Sequence, residues 1–325
     1  MSDSPTTKTL QVRVKSVTYE AERINSYELR PLEGGELPPF TAGAHIDVRL
    51  HNGFTRSYSL TNPQGERHRY VIAVANDTAS AGGSRYIHEH VRAGDRLTIT
   101  PPRINFVLVE DAKHSVLIAG GIGITPIWCM VQRLVALGRS WELHYSARTH
   151  ETAAFLEPVT ALRDNRNRNP VVLNFDFEPD GKLLNLKKII GNAAADAHLY
   201  CCGPTGMLEA FEQATESRPR DHVHVEYFSA KEAPATSGGF TVSFAKSNVK
   251  IFVEEGKTIL DAMIGAGLSP PRSCCEGVCG TCEMRVIEGI PDHRDMVLTD
   301  AERKANKSIL ICCSGAKSET LVLDW

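Results

Sequence analysis

Residues 274–282 read Cys-Cys-Glu-Gly-Val-Cys-Gly-Thr-Cys, and Cys312 follows 30 positions after Cys282, in Ile-Leu-Ile-Cys-Cys-Ser. Cys274-x4-Cys279-x2-Cys282 with one distant cysteine is the plant-type [2Fe–2S] spacing. Two bridged irons need four thiolates; a loop curling round them supplies three, and a separate strand supplies the fourth. Gly277 and Gly280 suit a loop whose backbone must approach inorganic sulfides closely and donate N–H bonds to them. Cys275 and Cys313 each stand beside an expected ligand. Starting from Cys275 breaks the x4 spacing, so Cys274 is expected to lead. Cys312 and Cys313 lie 30 and 31 positions past Cys282; the plant-type pattern favours Cys312, and strand alternation puts one of the two on the cluster side. A structural zinc site is the competing reading of Cys-x2-Cys, but it usually needs a second knuckle, and none is present.

Working outward, residues 229–239 (SAKEAPATSGG) are small, charged and without hydrophobic pattern, and read as a linker. Beyond them, 240–325 read as an α+β domain: two strands and a helix, the cysteine loop, the strand EMRVIEG, and terminal strands ILICCS and ETLVLDW. Upstream, strands alternate with helices over 111–228: SVLIAG, the helix ITPIWCMVQRLVALG, WELHYSA, a helix from Phe155 to Arg163, VVLNFDF, HLYCCG and VHVEYF. That grammar predicts a parallel sheet with crossovers. Residues 1–110 carry six short strands with period-2 alternation, separated by Gly, Pro and Asn turns, and predict an antiparallel barrel. The whole is a multidomain protein.

A net charge of −3 gives no electrostatic case for nucleic acid or a membrane surface as partner. No apolar run is long enough to span a bilayer. The first ten residues are polar, unlike a signal peptide, so a cytoplasmic location is expected. Nine cysteines, six of them between 274 and 313, suggest metal rather than disulfides.

Residues 119–126, AGGIGITP, follow a buried strand and open a helix, where backbone N–H groups and the helix dipole can meet a pyrophosphate. The strict G-x-G-x-x-G fingerprint is not met, because Pro126 follows Gly121 and Gly123. Cys202-Gly203-Pro204-Thr205-Gly206-Met207 forms a second such turn after the strand HLYC, at the sheet edge where open α/β folds bind ligands. With these two turns, residues 10–228 resemble the ferredoxin–NADP reductase superfamily. The resemblance implies that Gly120, Gly121, Gly123, Thr125, Pro126, Cys202, Gly203, Pro204 and Met207 line a nicotinamide site.

The resemblance extends to Arg56-Ser57-Tyr58-Ser59, which matches the superfamily's flavin motif, and to Gly82-Gly83-Ser84, its second phosphate-binding stretch. Ala73, Val74 and Ala75 would lie along the flavin edge. Phe228, ending the last strand of the middle domain, would stack on the flavin. Cys202 and Glu226 would line the nicotinamide site without acting as acid or nucleophile. Ser146 and Arg148 stand where nucleotide selection occurs; Arg148 could favour a 2′-phosphate, while Arg163, Arg166 and Arg168 read as a solvated loop.

The order of barrel, nucleotide domain and C-terminal ferredoxin with a β-grasp fold resembles the phthalate dioxygenase reductase family, which includes vanillate demethylase reductases. Matching segments include PPRINF, CEGVCGTC and DHRDMVLTD. The resemblance implies FMN, NADH and a [2Fe–2S] cluster as cofactors and a Rieske-type oxygenase as electron acceptor. The reductase is expected to be monomeric, in aromatic hydrocarbon catabolism, with phthalate the single substrate expected for the partner. The alternatives are an aromatic O-demethylase reductase, or a self-contained flavin/iron–sulfur reductase with another acceptor.

Overall fold

The computed structural model describes residues 9–77, 82–164 and 169–325. The N-terminal residues 1–8 and the segment holding Arg166 and Arg168 lie outside the described residues. The chain forms two compact units, Met1–Glu226 and Tyr227–Trp325.

The first unit begins with an antiparallel barrel: β1 (Leu10–Ala21), β2 (Ile24–Pro31), β3 (Ala44–Arg49), β4 (Thr55–Ser59), β5 (Tyr70–Ala75), helix α1 (Gly83–His90), β6 (Arg96–Ile99) and β7 (Arg103–Ile104). The strand order is β4-β3-β6-β1-β2-β5, with β7 on β3. A bridge between Leu60 and Ile72 brings the two ends of this sheet together. Alternation is the cause: Val12 and Val14 of β1, and Ile46 and Val48 of β3, are fully enclosed, and one apolar face on each strand can be buried only by closing the sheet.

A parallel sheet follows. Its elements are β8 (Ser115–Gly120), α2 (Ile124–Ala136), β9 (Trp141–Ala147), α3 (Leu156–Asp164), β10 (Val171–Phe175), α4 (Leu186–Asn192), β11 (His198–Cys202), α5 (Thr205–Ala214) and β12 (Val223–Glu226). Every residue of β8 is buried, as a central strand covered on both faces requires. The order β10-β9-β8-β11-β12 reverses between β8 and β11. Crevices at such a switch point are where open α/β sheets bind ligands.

Helix α2 is fastened to the barrel. Cys129 Sγ donates to the carbonyl of Asn62 (3.3 Å), and Gln132 Nε2 donates to that of Thr61 (2.7 Å). Gly43, at φ 92°, has no room for a Cβ, which would stand 1.9 Å from the carbonyl oxygen of Phe106. Barrel and parallel sheet share one continuous apolar core.

The second unit contains β13 (Phe240–Phe244), β14 (Val249–Val253), α6 (Ile259–Gly265), β15 (Glu283–Glu288), β16 (Pro291–Asp292), α7 (Asp300–Ala305), β17 (Ser308–Leu310), β18 (Gly315–Ala316) and β19 (Thr320–Leu323). Its main sheet runs β14-β13-β19-β15-β17, with β13 and β19 parallel. This is the α+β arrangement expected. Thr258 and Thr299 start α6 and α7 with capping boxes completed by Asp261 and Glu302.

Three expectations need correction. Strand β12 ends at Glu226, so Phe228 lies beyond it and belongs to the second unit. Cys312 and Cys313 stand in a turn after β17 rather than in a strand, so period-2 alternation cannot choose between them. Residues 229–239 are not a free linker: the Ala235 N–H donates to the Cys313 carbonyl (2.7 Å), the Gly239 N–H to that of Val253 (2.9 Å), and Glu232 pairs with Arg294 (2.9 Å).

Candidate functional site

At the switch point the two small-residue turns interlock. A Cβ on Gly120 would stand 2.7 Å from Pro204 Cδ and 2.8 Å from Met207 Sδ; one on Gly123 would stand 2.1 Å from the Cys202 carbonyl oxygen. Only glycine allows this approach. Gly121 adopts φ 52° and has open space where a Cβ would be. Thr125 Oγ1 donates to the Ile122 carbonyl (2.9 Å), bracing the turn from within, and Pro126 sits in the first turn of α2. The Gly121–Gly123 turn also packs against β5, the strand that ends in Ala73, Val74 and Ala75. The Val74 carbonyl bonds the His88 ring at 2.8 Å.

Cys202 and Glu226 are neighbours across β11 and β12. Burial, followed by the nearby Glu226 carboxyl, pushes the Cys202 thiol well above its usual value. Burial raises Glu226 to about 8, and its Oε2 has no hydrogen-bond partner among the described residues. The pair presents a protonated thiol and a carboxyl that is neutral at pH 7.

Ser146, at the end of β9, is buried, and its hydroxyl donates to Asp176 Oδ1 (2.7 Å), which also accepts from Asn174 Nδ2 (2.5 Å). Exposed Arg148 lies over the Phe177 ring at 5.8 Å. Sequence reasoning passed over Asp176 because it reads as one polar step within VVLNFDF. Its signal was position: a carboxylate just past a parallel strand's carboxyl end, where a ribose hydroxyl can be bound.

Arg56 and Tyr58 share one face of β4, opposite Val48 and Ile46; Ser57 and Ser59 share the other, opposite Asp47 and His45. The Ser57 hydroxyl donates to Asp47 (2.7 Å), which is enclosed and also paired with Arg103 (2.6 Å). That engages the Ser57 side chain away from Arg56 and Tyr58. Burial raises the Tyr58 phenol above its usual value. Arg56 crosses the start of α1: a Cβ on Gly83 would meet its Nε at 2.6 Å and its Cγ at 2.7 Å. Gly82 caps that helix at φ 94°, and Ser84 Oγ accepts from the Asp77 N–H (3.3 Å). A guanidinium laid across a helix N-terminus fits a phosphate dianion.

In the second unit the thiols form two groups. Cys279 shares a hydrogen bond with Cys274 that lowers it to about 5, and Cys312 shares hydrogen bonds with Cys282 and Cys313 that raise it. Among the described residues no three His, Cys, Asp or Glu side chains gather as a mononuclear metal site. Paired thiols instead suit two irons, each taking one pair. Gly277 and Gly280 both adopt φ 75°, and Cys275 takes φ 58° with its side chain exposed. These turns curl the loop around its own centre.

Comparison with known proteins places this geometry. Residues 117–213 match the oxidoreductase NAD-binding domain, and residues 243–317 the 2Fe-2S iron-sulfur cluster binding domain. Fold and site thus define an NAD-binding iron–sulfur oxidoreductase. The chain is 51% identical over 321 residues to tetrachlorobenzoquinone reductase of Sphingobium chlorophenolicum, covering 97% of this chain and 98% of the relative. It is 47% identical over 325 residues to phenoxybenzoate dioxygenase subunit beta of Ectopseudomonas oleovorans, covering 100% of both. The solved phthalate dioxygenase reductase, described as modular for electron transfer from pyridine nucleotides to [2Fe-2S], matches with TM-score 0.73 at 37% identity, over 98% of both chains. The chain belongs to the phthalate dioxygenase reductase family. Among the described residues no helix is long and apolar enough to cross a membrane.

Proposed function

We propose that the chain is the reductase component of a Rieske-type aromatic-ring oxygenase, taking electrons from NADH. The observation that carries this is the Gly121–Gly123 turn, which touches β5 of the barrel and Cys202 of β11 at once. A nicotinamide held on that turn would face a flavin held on β4. FMN held there would supply two-electron hydride acceptance together with one-electron release, the chemistry needed between NADH and a [2Fe–2S] centre.

The chain's own residues position these groups. Arg56, Gly82, Gly83 and Ser84 would hold the flavin phosphate, and Tyr58 and Val74 would border its ring. Cys202 and Glu226, both protonated at neutral pH, flank the nicotinamide without adding charge beside the transferring hydride. Asp176, with Ser146, accepts from the adenosine ribose hydroxyl and repels a 2′-phosphate, favouring NADH despite Arg148. Cys274, Cys279, Cys282 and Cys312 hold the cluster. Residues 1–110 serve the flavin, 111–228 the nucleotide and 240–325 the cluster, with 229–239 between. The reductase acts as a cytoplasmic monomer.

The relatives' names point to different compounds, phenoxybenzoate and phthalate among them, so the substrate belongs to the oxygenase; phthalate is the first to try. The test is NADH-dependent reduction of purified Rieske oxygenases by the holoprotein, with analysis of hydroxylated or demethylated product. Failure to reduce any oxygenase while turning over NADH with ferricyanide would overturn the partner assignment. A second reading, direct reduction of a halogenated quinone, is favoured by the 51% identical quinone reductase. NADH-dependent quinone reduction without an oxygenase would establish it.

A further inference from the structure

Behind the cysteine loop, the second unit buries a charged group that electron entry does not use. Asp295 is fully enclosed. Its Oδ2 accepts from the N–H groups of Val297 (3.1 Å) and Leu298 (2.7 Å), while Oδ1 has no hydrogen-bond partner among the described residues. Arg303 Nη2 stands 3.9 Å from Oδ2 and donates to the Asp295 carbonyl; the Arg303 Nε is buried with no hydrogen-bond partner among the described residues. His293 Nδ1 lies 3.8 Å from Oδ1, and the other ring nitrogen meets Asn306 Oδ1 at 3.3 Å.

This group joins the two segments that carry the thiols. The Met296 N–H donates to the Gly277 carbonyl (2.9 Å), between Cys274 and Cys279, and the Arg294 N–H donates to Ser314 Oγ (3.1 Å), two residues after Cys312. A Cβ on Gly277 would meet Cys313 Sγ at 2.5 Å and Asp295 Cα at 3.3 Å, so all three pack together. An enclosed acid with an unbonded oxygen is costly to keep for structure alone, since an apolar residue fills space without that penalty.

We propose that Asp295 is a positioning residue that registers the cysteine loop on the Cys312 turn and, opposed by Arg303, sets the reduction equilibrium of the cluster. The proposal rests on the cluster reading above. Reduction of a cluster held by these thiols would add one negative charge near an enclosed carboxylate, which little solvent screens, and a part-exposed guanidinium, which solvent screens more. The carboxylate disfavours the reduced form, and the guanidinium favours it.

The experiment is an EPR-monitored redox titration of the holoprotein and two variants, with iron content and visible spectrum recorded first. Asp295→Asn keeps the acceptor oxygen and removes the charge; it should shift the equilibrium about tenfold towards the reduced cluster, about 59 mV for one electron. Arg303→Gln should shift it about tenfold the other way. Opposite shifts support the proposal. Unmoved midpoints, or shifts of the same sign, overturn it even where iron content falls, because a merely structural role moves content alone. If Asp295→Asn cannot retain a cluster, Arg303→Gln decides by its sign. A wild-type chain showing no cluster spectrum would overturn the cluster reading instead.

Discussion

Cys202 and Glu226 stand side by side across two parallel strands, and burial keeps both protonated at neutral pH. Cys202→Ala should slow flavin reduction by NADH about tenfold or more in anaerobic stopped flow, with flavin and cluster both retained; unchanged kinetics would remove its role. Glu226 makes a stability prediction. Its pKa rises from the ordinary 4.5 to about 8, so between those values the folded chain holds a proton that the unfolded chain has lost. Stability therefore falls as pH rises through that window. Glu226→Gln should gain roughly 1–3 kcal/mol over wild type at pH 9 and nothing at pH 4, by urea denaturation, a range discounted for the water-exposed part of the side chain. Asp176→Ala should raise NADPH use relative to NADH about tenfold, read as a ratio of kcat/KM. Sequence alone passed over Asp176, because its bond to Ser146 comes from pairing β9 with β10, a register no local pattern reports. The engagement of Ser57 with Asp47 was hidden for the same reason.

Elements were more legible than contacts. Strand β8 runs over SVLIAG as read, because a continuous apolar run bounded by a glycine turn has few other structures available. ILICCS misled, since its apolar run continues after the chain leaves the ladder at Leu310. The turn there brings Cys312 towards Cys282, and that demand overrides local β propensity. Residues 229–239 looked like a linker because their bonds are backbone contacts to distant residues, which composition does not reveal. At α1, the helix start works only while Gly83 leaves room for Arg56. Gly83→Ala should displace that guanidinium and weaken FMN binding about tenfold by fluorescence titration, with the cluster spectrum unchanged. An unaltered Kd would show that the phosphate lies elsewhere. The four-thiol set is equally open to test. Cys275→Ser and Cys313→Ser should keep the visible cluster spectrum, and Cys279→Ser and Cys312→Ser should lose it; bleaching by Cys313→Ser but not Cys312→Ser would move the fourth ligand by one.

At the scale of the whole molecule, each compact unit has its own apolar core, and the proposed chemistry divides along the same line. The first unit handles a two-electron hydride donor, and the second a one-electron carrier. Order in time follows: electrons must visit the flavin before the cluster. The most direct measurement is anaerobic rapid mixing of the holoprotein with NADH, following flavin absorbance and freeze-quenched cluster EPR together. The account predicts that flavin bleaching comes first and the reduced-cluster signal follows it, and that removing the flavin abolishes the cluster signal. A cluster reduced by NADH at an undiminished rate without flavin would contradict it.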